Sequence, residues 1–221
     1  LLTKFFAVAL LLTLILPYSS YASILFVGNG TWGDFEGNLA YNPISAASAK
    51  LEIILQNTSP VANGGYLTGF VFNNPSNLIQ GITSISFTNT NFQLLGLAVK
   101  KNEINFQDTI DAAPYGNFDI GAALGGDFLG GGNPNFGIPI DDTDKFVFYL
   151  SGTGLNTLNE SSFINEVPTG GNEFFVARFR GFNNGESNKT PGEQVPEPAT
   201  LSLLGLGLLG LMGLKKRKGN K

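Results

Sequence analysis

The sequence predicts an all-β fold: one β-sandwich or jelly-roll-like domain with a single short helix, set between an N-terminal signal helix and a C-terminal transmembrane helix. Three observations lead there. Between residues 23 and 192, apolar and polar residues alternate in runs of strand length. Turn clusters rich in Asn, Gly, Pro and Ser separate these runs at the close spacing of a sandwich. The two ends are continuous apolar runs, unlike anything between them. The middle, about 170 residues, is the length of one domain able to bury a real core. Most of the chain's 19 Phe lie within it.

Residues 1–22 read as a cleavable secretory signal. Lys4 supplies the basic start, residues 5–16 are apolar except for Thr13, and Pro17 breaks the helix. Ser20 and Ala22 then place small residues before a cut after Ala22. An apolar run of about twelve residues is short of the ~20 that span a bilayer.

The body, 23–192, carries the strand signals. Ala49, Leu51, Ile53 and Leu55 alternate with Lys50, Glu52 and Gln56, with Ile54 out of phase. Leu67, Gly69 and Val71 are expected on the face opposite Phe70 and Phe72, and 82–87 and 92–99 continue the pattern. Phe146, Phe148 and Leu150 alternate with Lys145, Val147 and Tyr149; Phe175, Ala177 and Phe179 alternate with Val176, Arg178 and Arg180. Turns are expected at 63–65, 73–75, 89–91 and 183–185. Thr157 and Glu160 fit a capping box that would start the one helix, over 161–166. The Gly-rich stretch 118–136 lacks both the Gly-Lys-Ser/Thr ending of a phosphate loop and dinucleotide spacing, and reads as a loop or bulged strand.

Residues 193–198 read as a linker ending in Pro196-Glu197-Pro198, 199–214 as a transmembrane helix and 215–221 as a basic cytoplasmic tail. A largely apolar stretch of sixteen residues makes about 24 Å of helix. That is a short span, which snorkelling flanks and local bilayer thinning accommodate. Lys215, Lys216, Arg217 and Lys218 fix this end on the cytoplasmic side and the body outside.

Composition excludes several chemistries. There is no Cys, hence no disulfide, thiolate metal site or Cys nucleophile, and no His, the commonest general base near neutral pH. No cofactor is expected. Residues 23–195 hold 7 basic and 16 acidic side chains, a net of −9, which disfavours nucleic acid. Among the acids, Asp141, Asp142 and Asp144 form the densest cluster, a weak calcium candidate without the pattern of an EF-hand and more simply an exposed turn at a strand entry. Trp32, in the loop after Gly28-Asn29-Gly30-Thr31, is the best single candidate for stacking on a sugar ring, against the plainer reading of a core or rim aromatic. Arg178 and Arg180 share one face of a strand, where solvation or pairing with acids is the simpler expectation. The sequons at Asn57, Asn159 and Asn188 read as accidental.

Val195-Pro196-Glu197-Pro198-Ala199-Thr200, the Leu/Gly-rich run and the terminal basic cluster together resemble the PEP-CTERM sorting signal of Gram-negative bacteria and cyanobacteria. The resemblance spans 195–218. It implies recognition of Pro196, Glu197 and Pro198 by an exosortase, a membrane-embedded processing enzyme. It also implies association with exopolysaccharide, biofilm and cell-surface material. Phe118-Asp-Ile-Gly121, 128–132 and 174–180 are similar to pieces of the β-sandwich ectodomains that such proteins carry.

The expectation is therefore an exported, non-enzymatic surface or matrix protein. It would be held in the membrane by its tail until processed, with an exosortase as partner and polysaccharide as a further one. The alternative is a polysaccharide hydrolase working through paired carboxylates, which the sequence does not single out among its acids.

Overall fold

The computed structural model describes residues 22–96, 99–100, 103–104 and 108–196. The signal helix expected before Ala22, the transmembrane helix expected at 199–214 and the basic tail lie outside the described residues. Among those described, no helix is long and apolar enough to cross a membrane.

Two antiparallel sheets share one core. Numbered in chain order, the first contains β1 (Ser23–Asn29), β2 (Asp34–Pro43), β3 (Ser48–Asn57), β5 (Ile79–Phe87), β12 (Thr143–Gly152) and β15 (Glu193–Gln194). The second contains β4 (Gly64–Phe72), β6 (Phe92–Leu95), β11 (Ile120–Leu124), β13 (Phe175–Phe182) and β14 (Ser187–Pro191). Their spatial orders are β15-β1-β2-β3-β12-β5 and β14-β13-β4-β11-β6. Two short ribbons, β7 (Val99–Lys100) with β8 (Glu103–Ile104) and β9 (Ile110–Asp111) with β10 (Asn117–Phe118), stand outside the sheets.

Phenylalanine holds the two inner faces together. Phe26, Phe35, Phe146 and Phe148 come from the first sheet, Phe70, Phe72, Phe175 and Phe179 from the second, and all are buried. Their rings meet edge to face across the interface: Phe70 on Phe146 at 4.7 Å, Phe26 on Phe175 at 4.8 Å and Phe72 on Phe148 at 5.7 Å between centroids. Each such ring contributes on the order of 1.5–3 kcal/mol by leaving water, with about 0.5–1.5 kcal/mol more per well-placed pair. With no disulfide to help, this burial carries the stability.

Two glycines make room for it. Phe26 stands directly opposite Gly37, and Phe35 opposite Gly28, on the β1–β2 ladder. A Cβ at Gly37 would come within 2.3 Å of the Phe26 ring, and one at Gly28 within 2.1 Å of the Phe35 ring. Each ring lies over a strand position that only glycine leaves open.

A second, smaller cluster lies on the outer face of the second sheet, where Val71, Ala123 and Val176 are covered by Ile110, Ala112, Phe118 and Phe128. Over these three residues the face is covered rather than open to solvent. Asp119 helps hold the cover: its carboxylate accepts from the Asn74 N–H at 2.9 Å and the Asp108 N–H at 2.7 Å.

The structure corrects three local expectations. Leu67 faces inward with Phe70 and Phe72 rather than outward with Val71, because the β13 register jumps from Gly69 to Leu67 and leaves Thr68 as an extra residue. Such a bulge reverses the alternation beyond it. The strand expected over 92–99 stops at Leu95: Gly96 takes φ +93°, and a Cβ there would meet the Asp119 carbonyl at 1.9 Å. The helix, α1 (Glu160–Asn165), is capped two residues later than expected, by Asn159 and Ser162. Leu158 is buried in extended conformation, which keeps Thr157 out of the cap; Thr157 Oγ1 donates instead to the Gly154 carbonyl at 2.7 Å.

Candidate functional site

The C-terminal end of the described chain is built into the edge of the first sheet. Gln194 pairs with Phe26 and Glu193 with Val27, and the Val195 N–H extends the ladder to the Leu25 carbonyl at 3.0 Å. Just ahead of β15, the Gly192 N–H donates to the Phe175 carbonyl at 2.9 Å, tying the same segment to the second sheet. The stretch expected as a linker from residue 193 thus begins as β15. Val195 is half-buried and Pro196 exposed. Proline has no N–H to donate, so it suits the point where the ladder ends.

β1 begins at Ser23, directly after the exposed Ala22. Because β1 and β15 are antiparallel, the entry to β1 and the exit from β15 lie at the same end of one sheet edge. The expected signal cut after Ala22 and the expected sorting motif at Val195 and Pro196 therefore leave the body side by side. Glu197, Pro198 and the basic residues Lys215, Lys216, Arg217 and Lys218 lie outside the described residues.

The other candidates sit elsewhere. Trp32 is half-buried against the core, its ring 6.2 Å from that of Phe182, and its carbonyl accepts from Asn63 Nδ2 at 2.9 Å. The acid cluster occupies the turn into β12. Asp141 takes φ +66° and its N–H donates to the Asn57 carbonyl at 2.8 Å. Asp142 and Asp144, with Asn89 and Asn91, line an open polar depression of about 570 Å³; Asp141 is not part of that lining. Burial pushes the Asp144 carboxyl above the ordinary aspartate range, with Asp142 adding to the effect. Among the described residues, no group of three or more acids is placed to hold a metal ion.

The Gly-rich stretch divides into β11 and a loop at 125–132. Arg180 secures that loop, donating from Nη1 to the Gly131 carbonyl at 2.6 Å and the Gly132 carbonyl at 3.2 Å. Arg178 lies beside it on the outer face of β13 and faces Lys189 of β14. The two arginines share a strand face by their spacing alone, whereas Lys189 joins them only through the pairing of β13 with β14. The signal was present: an Asn183-Asn184-Gly185 hairpin turn fixes which β14 residue stands opposite Arg178.

Comparison with known families gives one match. Residues 194–218 match the PEP-CTERM protein-sorting motif. The matched segment starts on Gln194, inside β15, so the motif and the folded body overlap. The motif implies export, membrane-associated sorting and processing by an exosortase. Among curated proteins, none matches the chain.

Proposed function

We propose that the chain is a non-enzymatic cell-surface or extracellular-matrix protein, anchored after export by its C-terminal apolar run and then processed at its PEP-CTERM tail. The carrying observation is the motif match at 194–218 together with its attachment to the β1 edge. A plain tail anchor needs apolar length and flanking charge; it has no use for Pro-Glu-Pro at the membrane boundary. Two prolines fix φ and bias the residues before them to extended backbone. Such a segment, just outside the bilayer, is what a membrane-embedded protease can hold, and Glu197 adds a charge for it to read. The absence of His and Cys removes hydrolysis that depends on an imidazole base or a thiol nucleophile, and an acidic body suits the outside of a cell better than contact with nucleic acid. Exopolysaccharide or biofilm matrix is the setting this reading implies.

Replacing Pro196-Glu197-Pro198 by three alanines tests it. Membrane insertion should persist, and the full-length form should accumulate in the envelope, as seen by immunoblot of fractionated cells with an epitope in the body. Wild type and variant of equal size in the same fraction would leave a plain tail anchor as the better reading.

A further inference from the structure

The first sheet uses its cations internally. Glu52 takes Lys50 at 3.0 Å and Lys145 at 2.9 Å. Arg178, Arg180 and Lys189 are arranged differently. All three lie on the β13–β14 hairpin, and Arg178 stands directly opposite Lys189 in the register. Like charges facing each other across a ladder are destabilising. Among the described residues no carboxylate lies at ion-pair distance from any of them, in a body whose net charge is −9.

Their hydrogen bonds are unequal. Arg180 is used by the Gly-rich loop, and Lys189 Nζ donates to the Ala113 carbonyl. Arg178 makes only a long contact, Nη2 to Ser187 Oγ at 3.4 Å, and its Nε is buried with no partner among the described residues. A buried guanidinium nitrogen without an acceptor is costly. Burial, then Arg180, holds the Arg178 pKa below the ordinary arginine range against the pull of Asp127; burial, then Arg178, does the same to Lys189 against Asp111.

Beside this pair is a depression of about 360 Å³, lined by Pro114, Tyr115, Arg178, Ser187, Asn188 and Lys189. It combines an aromatic and proline wall, small polar groups, and two cations with no carboxylate at ion-pair distance. An oxyanion entering it would relieve the like-charge opposition and meet a guanidinium fork whose planar geometry fits a carboxylate. The ring wall suits the flat apolar face of a sugar.

We propose that the outer face of β13–β14 is a binding site for a carboxylated sugar, a hexuronate unit of an acidic polysaccharide, with the carboxylate held by Arg178 and Lys189 and the sugar ring against Tyr115. This extends the matrix reading, but it is tested on purified protein, so its failure leaves the sorting reading intact.

The experiment is calorimetric titration of the purified full chain in detergent with oligogalacturonate, its methyl ester and inorganic phosphate. The free acid should bind and the methyl ester should not. Phosphate at the same concentration should not displace the sugar. Arg178→Gln and Lys189→Gln should each weaken binding about tenfold or more, the usual effect of losing a charge-assisted contact. Arg178→Gln should also leave the melting temperature unchanged or raise it, since the opposed charge is gone; a purely structural arginine would lower it. Equal binding of acid and ester, displacement by phosphate alone, no binding of the acid, or undiminished binding by Arg178→Gln would each overturn the proposal.

Discussion

At the scale of single residues, the polar side chains that matter most are buried ones, and Asn57 is the clearest. It is fully buried at the end of β3. Its Nδ2 donates to the Ile138 carbonyl at 2.9 Å, and its Oδ1 accepts from the Ser59 N–H at 3.1 Å and from Ser59 Oγ at 2.6 Å. It thereby joins the β3 exit to the segment entering β12. Of the three sequons, this one is sealed: folding commits both ends of its amide. Asn57→Ala should lower the unfolding free energy by about 2–3 kcal/mol, because the buried Ser59 N–H loses its acceptor. Asn159→Ala, at the exposed cap of α1, should cost about 1 kcal/mol. Urea denaturation of both variants checks the ratio, and equal midpoints would show that the Asn57 amide bears no special share.

At the scale of elements, much of the sandwich was legible because alternation is read correctly wherever a strand is regular. Phe146, Phe148 and Leu150, and Phe175, Ala177 and Phe179, all point inward as their spacing requires. Leu67 was misread because a bulge adds a residue that periodicity cannot see. The buried outer face of the second sheet was missed because its cover, around Ile110 and Phe118, reaches it through loops and a two-stranded ribbon with little pattern. β15 was missed because two residues carry no period, and a segment ahead of Pro-Glu-Pro reads as a spacer.

The outer face of β3 and β12 yields a pH prediction. Burial tends to raise the Glu52 pKa, but hydrogen bonds from Lys145 and Lys50 outweigh it, so the net shift is downward from 4.5. A carboxyl held lower in the folded state contributes stability that is present above its ordinary value and lost as pH falls through the folded value. Asp119 and Asp144 run the other way: burial raises both above 3.8, so their contribution declines as pH rises through the folded values. Melting temperatures measured from about pH 3 to 7 should therefore show wild type above Glu52→Gln near neutrality, with the gap closing on acidification. A gap constant with pH would mean that the Lys50–Glu52–Lys145 group adds no linked stability.

At the scale of the whole molecule, the decisive relation is between the folded body and its tail. Val195 is still hydrogen-bonded to β1, and four residues later the apolar run begins. At about 3.3 Å per residue this gives the body at most about 13 Å of reach from the start of that run. A body of roughly 175 residues has a radius of gyration of about 16 Å, so an enzyme gripping Pro196-Glu197-Pro198 must contact the body or draw β15 off the sheet. Releasing β15 breaks a few ladder hydrogen bonds worth about 1 kcal/mol each, a small barrier that global unfolding need not accompany. Processing should then be limited by access to the motif. A flexible Gly/Ser spacer of about ten residues inserted between Val195 and Pro196 leaves both β15 and the Pro196-Glu197-Pro198 core of the motif intact. It should raise the processed fraction at early times in a pulse-chase followed by immunoprecipitation. The same spacer placed ahead of Ala-Ala-Ala in place of Pro196-Glu197-Pro198 should give no processing at either length, which separates access from recognition. If the spacer slows processing while the triple-alanine chain stays uncut, the enzyme requires the body close at hand, and β15 serves to present the motif rather than to shield it.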